Sequence, residues 1–241
     1  MEQLKKRPLS LTCYILWFIH QKPENTDLAF TTNPFSYIFR YENKYHITGK
    51  NFWQFNKHIR WFKTNLVLIF EKHRWEEIKL RFSNFRNLNT NKPTDTYDTY
   101  LTLKLKKDNL AYTEPIDDVI IQIPSPNHPL PKRYRPYNGG LNFGFFKKNQ
   151  MVCFAAAPHI LTDFPFSFAI IRGVETEFLK RRQGYALNTV GLLCKELFSR
   201  YHLNNIFLWV EERNLAARNL YQKIGFSEEI KFALTYCDLK E

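Results

Sequence analysis

Six residues, Arg181-Arg182-Gln183-Gly184-Tyr185-Ala186, stand between an apolar stretch and an amphipathic repeat, and that order constrains the local fold to strand, glycine turn and helix. The run before them, Phe168-Ala169-Ile170-Ile171-Arg172-Gly173-Val174, is short and apolar, as a buried strand is. After them the period changes: Ala186, Val190, Leu193 and Leu197 recur at the spacing of one helical face. Gly184 therefore sits where a strand gives way to a helix. The first turn of a helix carries backbone N–H groups with no partner inside it, and the helix dipole adds about half a positive charge there. Such a turn binds phosphate. A residue without a Cβ lets a pyrophosphate approach the backbone, and Arg181 and Arg182 can screen its charge.

A second pattern follows the strand-like run Ile206-Phe207-Leu208-Trp209-Val210. In Asn214-Leu215-Ala216-Ala217-Arg218-Asn219-Leu220-Tyr221-Gln222-Lys223-Ile224-Gly225-Phe226, Asn214 suits an N-cap and Ala217, Leu220, Tyr221 and Ile224 share one helical face. Gly225 stands where a left-handed residue ends a helix. A well-capped amphipathic helix accounts for all of this except the tyrosine on the buried stripe, because a buried phenol needs a partner.

Read from Val174, the segment through Ala186 resembles the acetyl-CoA motif of the GNAT superfamily of N-acetyltransferases: V-x-T, a short gap, then [QR]-x-x-G-x-[GA]. Asn214 to Phe226 is similar to that family's other signature, N-x-x-A-x-x-[LI]-Y-x-x-[LI]-G-F. The two occur in the family's order, and the resemblance covers about residues 141–241. It implies an α/β fold, a mixed twisted sheet flanked by helices over 139–241. Ahead of it a mixed α/β domain is expected over 1–138, with a degenerate copy of the same fold as one form it could take. Residues 1–140 contain no second pyrophosphate motif.

The resemblance also implies acetyl-CoA as cosubstrate and direct transfer to an amine in a ternary complex, with no metal and no covalent enzyme intermediate. On that basis Val174, Glu175 and Thr176 lie along the pantetheine arm, and the Val174 backbone N–H polarises the acetyl carbonyl. Arg181, Arg182, Gln183, Gly184, Tyr185, Ala186 and Leu187 hold the pyrophosphate, while Asn214 and Ala217 meet the pantetheine from the second motif. Tyr221 faces the sulfur. A phenol with a reference pKa of about 10 stays protonated at neutral pH and can donate to the departing thiolate, so Tyr221 is the expected general acid. Some family members place a glutamate six residues before the position matching Thr176, but Ile170 stands there and cannot accept a proton. His159 is the candidate base, with Glu175, Glu211 and Glu212 as alternatives. The missing glutamate leaves open a second reading, a non-catalytic acyl-CoA-binding or partner-binding module, against which Asn214 and Tyr221 both argue.

With 44% hydrophobic and 17% aromatic residues in 241, the chain can build a sizeable core in one large or two small domains. Its cysteines, Cys13, Cys153, Cys194 and Cys237, form no C-x-x-C pair, so reduced thiols and a cytoplasmic location are expected. His46, His58 and His73 are scattered without H-E-x-x-H, and no metal site is expected. Lys5-Lys6-Arg7 ahead of the apolar stretch from Leu11 to Ile19 imitates a signal peptide, but the stretch falls short of the roughly 20 residues of a span and no small-x-small site follows. A buried element is expected there, and no membrane contact. The net charge of +12 is uneven: residues 1–145 hold 22 Lys+Arg against 13 Asp+Glu, and the remainder 13 against 10. Such a surplus attracts acidic partners, but no nucleic-acid motif accompanies it, so a solvated basic surface is preferred and nucleic acid is not an expected partner. The expected partners are acetyl-CoA and an amine acceptor, small molecule or peptide, of a monomer or homodimer.

Apolar spacing predicts helices over Phe52–Phe70 and Trp75–Phe85, a half-exposed strand over Thr99–Leu105 and another over Asp117–Ile123. The proline run from Pro124 to Pro136 with Asn138-Gly139-Gly140 reads as a linker and sets the boundary at 138/139. Beyond it, Leu141–Phe146 and Met151–Ala156 form a hairpin about Lys147–Gln150.

Overall fold

The structure, a computed structural model, describes residues 26–30, 37–41, 44–48, 66–70, 72–87, 90–112, 119–123, 137, 139–162 and 167–240. Two compact units emerge. The first comprises Met1–Leu101, Glu211–Arg213 and Ile230–Glu241, and the second Thr102–Val210 and Asn214–Glu229. The boundary at 138/139 divides the chain by composition; the division by contacts falls elsewhere, at Leu101 and again near the C-terminus.

In the first unit β1 (Thr26–Phe30), β2 (Tyr37–Tyr41) and β3 (Lys44–Thr48) form an antiparallel meander. β3 then pairs in parallel with β4 (Leu66–Phe70), Tyr45 opposite Leu66 and Ile47 opposite Leu68. The expected helix over Phe52–Phe70 is thus corrected at its C-terminal end, while residues 52–65 lie outside the described ones. The reason lies in the run itself. Leu66-Val67-Leu68-Ile69-Phe70 is apolar at every position and buried at every position, as suits a strand covered on both faces and not a one-sided helix.

The helix expected over Trp75–Phe85 also stops early: α1 (Trp75–Arg81) gives way to β5 (Phe82–Arg86). β5 pairs antiparallel with the last strand, β12 (Ser227–Leu239), placing Phe82 opposite Leu239, so a non-local ladder overrides the local spacing. β12 also pairs antiparallel with β4. Trp75 and Phe85 pack at 4.7 Å between ring centroids, over a core that includes Leu66, Leu68 and Ile78. β6 (Asp98–Leu105) is the strand expected near Thr99–Leu105, mostly buried instead of half-exposed.

In the second unit β7 (Val119–Gln122) pairs with β8 (Leu141–Lys147), and β8 with β9 (Gln150–Leu161). Lys148 and Asn149, with φ of 47° and 61°, make the left-handed two-residue turn that suits a right-twisted hairpin. β10 (Phe168–Thr176) runs antiparallel to β9 and parallel to β11 (Asn205–Glu211). A parallel pair needs a crossover, and α2 (Tyr185–Tyr201) provides it. Val190, Leu193 and Leu197 of α2 have 0% exposure, each burial stabilising by roughly 2 kcal/mol. α3 (Leu215–Ile224) follows β11, capped by Asn214 and ended by Gly225 in the left-handed region. Within this unit the strands run in the order β7-β8-β9-β10-β11, a mixed set with helices on it. Among the described residues no helix is long and apolar enough to cross a membrane.

Candidate active site

β10 and β11 begin as neighbours and then part. Their ladder joins Phe168 to Asn205, Ala169 to Ile206 and Ile170 to Phe207, yet β10 continues through Thr176 and β11 through Val210. Burial changes at the same point: Phe168 to Ile171 are buried, whereas Arg172 to Thr176 are exposed or half-buried. Backbone groups outside the ladder can take an extended ligand as a short extra strand.

The opposite edge of β10 carries two irregularities. Ile170 faces His159 and Arg172 faces Ala156, so Ala157 and Pro158 together oppose Ile171, and the proline without an N–H falls where the ladder is interrupted. Next, Arg172 faces Ala156 and Glu175 faces Phe154, so Gly173 and Val174 together oppose Ala155. That is a bulge on β10 itself. Gly173 has φ of 63°, the left-handed first residue of such a bulge, and a Cβ there would come within 3.1 Å of the Tyr137 ring. A bulge leaves its extra residue unpaired, and Val174 is the residue whose N–H the family resemblance assigns to the acetyl carbonyl.

After β10 come a 3-10 turn at Phe178–Lys180 and then Arg181 to Gly184. Gly184 is the N-cap of α2 with φ of 84°; no side chain caps the helix, and its first turn holds no acidic residue. A Cβ at Gly184 would meet nothing within 4 Å. The glycine therefore answers to backbone conformation, and the space beside the first N–H groups is open to an anion. Arg181, Arg182 and Gln183 are exposed, while Tyr185, Ala186 and Leu187 are half-buried. Arg181 Nε donates to the Thr176 carbonyl at 3.3 Å, and its guanidinium lies 5.3 Å over the Phe178 ring. The Tyr185 hydroxyl donates to Gln183 Oε1 at 3.0 Å, and its ring packs on Phe145 at 4.6 Å.

Asn214 Oδ1 accepts from the Ala217 N–H at 3.1 Å, the expected cap. Tyr221 is buried with 7% exposure, its ring edge-on to Phe226 at 5.7 Å. Burial raises its pKa well above 10, with Cys194 and Cys153 acting in the same direction, so the phenol is protonated throughout the physiological range. Cys153 ties the elements together: Thr176 Oγ1 of β10 donates to its sulfur at 3.2 Å, and Thr189 of α2 bonds it as well. Burial, the largest influence, raises the Cys153 thiol pKa, so it is an inert packing group.

The base candidates separate. His159 is buried at 9% exposure, and desolvation, then the charge of Arg172, brings its pKa down to about 4. Its imidazole is neutral at pH 7 but a weak proton acceptor. Glu175 is exposed on β10, three residues beyond Arg172. Glu211 and Glu212 belong to the first unit, where Glu211 pairs with Arg213 at 2.7 Å and Glu212 pairs with Lys231 and Lys72. Among the described residues no three His, Cys, Asp or Glu side chains gather as a metal site. Sequence reasoning missed Arg172, Gly173 and Tyr137. A glycine inside an apolar strand was the available signal, since it marks a bulge or a close approach.

Residues 143–234 match the family model described as FR47-like protein. Among solved structures the chain is similar to a GCN5-related N-acetyltransferase from Kribbella flavida, with a TM-score of 0.60 and 11% identity over 97% of this chain and 100% of that one. It is similar to a GCN5-related N-acetyltransferase-like protein from Streptococcus suis, with a TM-score of 0.54 and 14% identity over 98% of each chain. A GCN5-related N-acetyltransferase from Sphaerobacter thermophilus gives 0.53 and 9% identity over 83% of this chain and 76% of that one. No curated protein matches the sequence. At these identities the likeness is one of fold, and the chain resembles the GNAT superfamily in its fold as in its two motifs.

Proposed function

We propose that the chain carries an acetyl-CoA-dependent N-acetyltransferase domain over 139–241, whose cofactor-binding residues all lie in the second unit. The observation that carries this reading is the parting of β10 from β11 beyond Ile170 and Phe207, with the Gly173–Val174 bulge at the opening and the uncapped start of α2 beyond it. Val174 to Thr176 and Asn214 hold the pantetheine arm, and Arg181 to Leu187 hold the pyrophosphate. The Val174 N–H donates to the thioester oxygen, where a preorganised donor contributes on the order of 3 kcal/mol. The neutral amine attacks the carbonyl carbon, forming the C–N bond as the C=O electron pair moves to oxygen. Collapse restores C=O and breaks C–S. The departing thiolate takes the Tyr221 proton, the amine nitrogen releases its surplus proton to water, and Tyr221 is reprotonated from solvent. The products are an amide and a free thiol.

With Ile170 buried and His159 held at about 4, an acceptor with a low-pKa amine is favoured. An α-amine near 7.7 reaches neutrality with little help; a lysine near 10.4 needs more. The same two observations favour, as a second reading, a binding module without turnover. Calorimetric titration with acetyl-CoA, followed by single-turnover thiol release with an amine panel, decides between them. Binding with thiol release supports the enzyme, binding alone supports the module, and absence of binding overturns both.

A further inference from the structure

The two faces of β9 are covered differently. Cys153 clusters with Phe145 and Val152 against Tyr185 and Ala186 of α2, whereas its neighbour Phe154 clusters with Ile123, Met151 and Ala156 against Tyr137. Successive residues of a strand point to opposite faces, so Tyr137 lies on the side of the sheet away from the start of α2. It also reaches the bulge. A Cβ on Gly173 would stand 3.1 Å from a Tyr137 ring carbon, 3.3 Å from the Tyr137 hydroxyl and 3.6 Å from the Phe154 ring. Three contacts hold the residue there: its N–H donates to Asn142 Oδ1 at 3.0 Å, its carbonyl accepts from Asn142 Nδ2 at 3.2 Å, and the Arg172 guanidinium lies 6.0 Å over the ring. Asn142 is itself buried and opposes Ala156 in the β8–β9 ladder. The hydrogen bonds of Tyr137 among the described residues are thus those of its backbone, and the hydroxyl of this half-buried side chain is open to a ligand.

Resting on the acetyltransferase reading above, we propose that Tyr137 positions the acceptor: its hydroxyl oxygen accepts an N–H of the neutral amine and turns the nitrogen lone pair towards the thioester carbon. A ternary complex requires that cofactor and acceptor enter without blocking each other. The cofactor is expected over the start of α2, which leaves the opposite face of the sheet, where Tyr137 stands, to the acceptor. Gly173, which the hydroxyl borders, directly precedes Val174, the residue expected to hold the carbonyl oxygen. A hydroxyl oxygen has two lone pairs, so it can accept from the amine while it donates its own proton elsewhere. Tyr137 takes up no proton in this role. The C–N bond forms and the C–S bond breaks as described above, and the surplus proton of the nitrogen leaves to water. An uncharged acceptor of this kind suits a site in which Ile170 cannot bind an amine and His159 is a weak proton acceptor.

The test is Tyr137→Phe, which keeps the ring beside Gly173 and Phe154 and removes only the hydroxyl. Thiol release at saturating acetyl-CoA is measured with an amino-acid amide, a dipeptide, a polyamine and a lysine side-chain analogue, and the comparison uses the amine that the wild-type protein turns over fastest. For that amine kcat/KM is expected to fall about tenfold, mainly through a rise in KM, which is the size of one hydrogen bond made before the chemical step. The acetyl-CoA Kd in calorimetry and the melting temperature should stay near wild type. An unchanged kcat/KM overturns the inference, as does an equal loss of acetyl-CoA affinity, which would place the hydroxyl on the cofactor. A fall confined to kcat overturns it too, because the hydroxyl would then serve the developing oxyanion. Wild-type binding of acetyl-CoA without turnover of any amine overturns it and leaves the binding module standing. Failure of the wild-type protein to bind acetyl-CoA overturns the acetyltransferase reading itself.

Discussion

The parallel pair β3/β4 in the first unit and the parallel pair β10/β11 in the second begin alike and end differently. Each follows antiparallel strands, and each ladder registers three residues, Tyr45–Ile47 with Leu66–Leu68 and Phe168–Ile170 with Asn205–Phe207. β3 stops at Thr48, one residue past its ladder, whereas β10 runs on to Thr176 through a bulge. The stretches joining the pairs differ as well. Between Thr48 and Leu66 the sequence has one glycine, Gly49, and no R-x-x-G-x-A; after Thr176 it has Arg181 to Ala186, which lead into the first turn of α2. Strand order supplies a frame in both units, but the anion-binding chemistry proposed for the second follows its turn and its bulge.

The contrast breaks most directly at Gly184. Gly184→Asp places a carboxylate against the expected pyrophosphate, and acetyl-CoA affinity should fall on the order of 10³-fold, since like charges in a binding site cost several kcal/mol. The fold should survive, because a Cβ there meets nothing within 4 Å and a left-handed φ costs about 1–2 kcal/mol. Calorimetry on the folded variant is the check; wild-type affinity would remove the cradle from the second unit and with it the difference between the two pairs.

Tyr221→Phe comes next. It keeps the buried ring and removes the proton donor, so kcat should fall about 10²-fold while the acetyl-CoA Kd stays near wild type. Because burial holds the Tyr221 pKa well above 10, the pH–rate profile should show no loss from its ionisation up to about pH 10. Full kcat with chemistry rate-limiting would make Tyr221 a packing residue.

How much of this was legible beforehand depended on whether short-range or long-range forces decided each element. α2, α3 and their caps at Gly184, Asn214 and Gly225 follow from local periodicity and cap chemistry, and they stand where the pattern placed them. The helical reading fails at β4 and β5 because local spacing does not reveal a strand's partners, and the one they share, β12, lies more than a hundred residues away. Within the site, the residues of the two motifs are named by the resemblance those motifs carry. The Gly173–Val174 bulge is not, since it exists only relative to the register of β9, and Arg172 and Tyr137 acquire meaning only beside it.

The first unit should answer to packing where the second answers to chemistry. Leu68→Ala removes a fully buried side chain from β4 and should destabilise by about 3 kcal/mol in urea unfolding. The acetyl-CoA Kd of the folded variant should change less than about threefold. A loss of affinity comparable to that of Gly184→Asp would mean that the first unit takes part in cofactor binding and that the two pairs are not divided between frame and function.

The smallest effect separates shifts caused by burial from shifts caused by pairing. In the second unit His159 has its pKa lowered from 6.5 to about 4, chiefly by desolvation. Between those values the unfolded chain binds a proton that the native protein refuses, so the stability that neutral His159 protects is complete above pH 6.5 and is lost as pH falls towards 4. The loss should be roughly 3 kcal/mol, and it should vanish in His159→Gln. In the first unit Glu212 has its pKa lowered, first by its hydrogen bond from Lys231, so its contribution is present above the ordinary carboxylate range and disappears as pH falls through the depressed value. Salt distinguishes the two, because it screens an exposed pair and leaves desolvation untouched. Urea midpoints taken from pH 7 to pH 4 at low and high salt should show a salt-independent slope that His159→Gln removes. A slope that instead collapses in high salt would assign the acid sensitivity to surface pairs such as Glu212–Lys231, and His159 would then lose its place as a desolvated group beside Arg172.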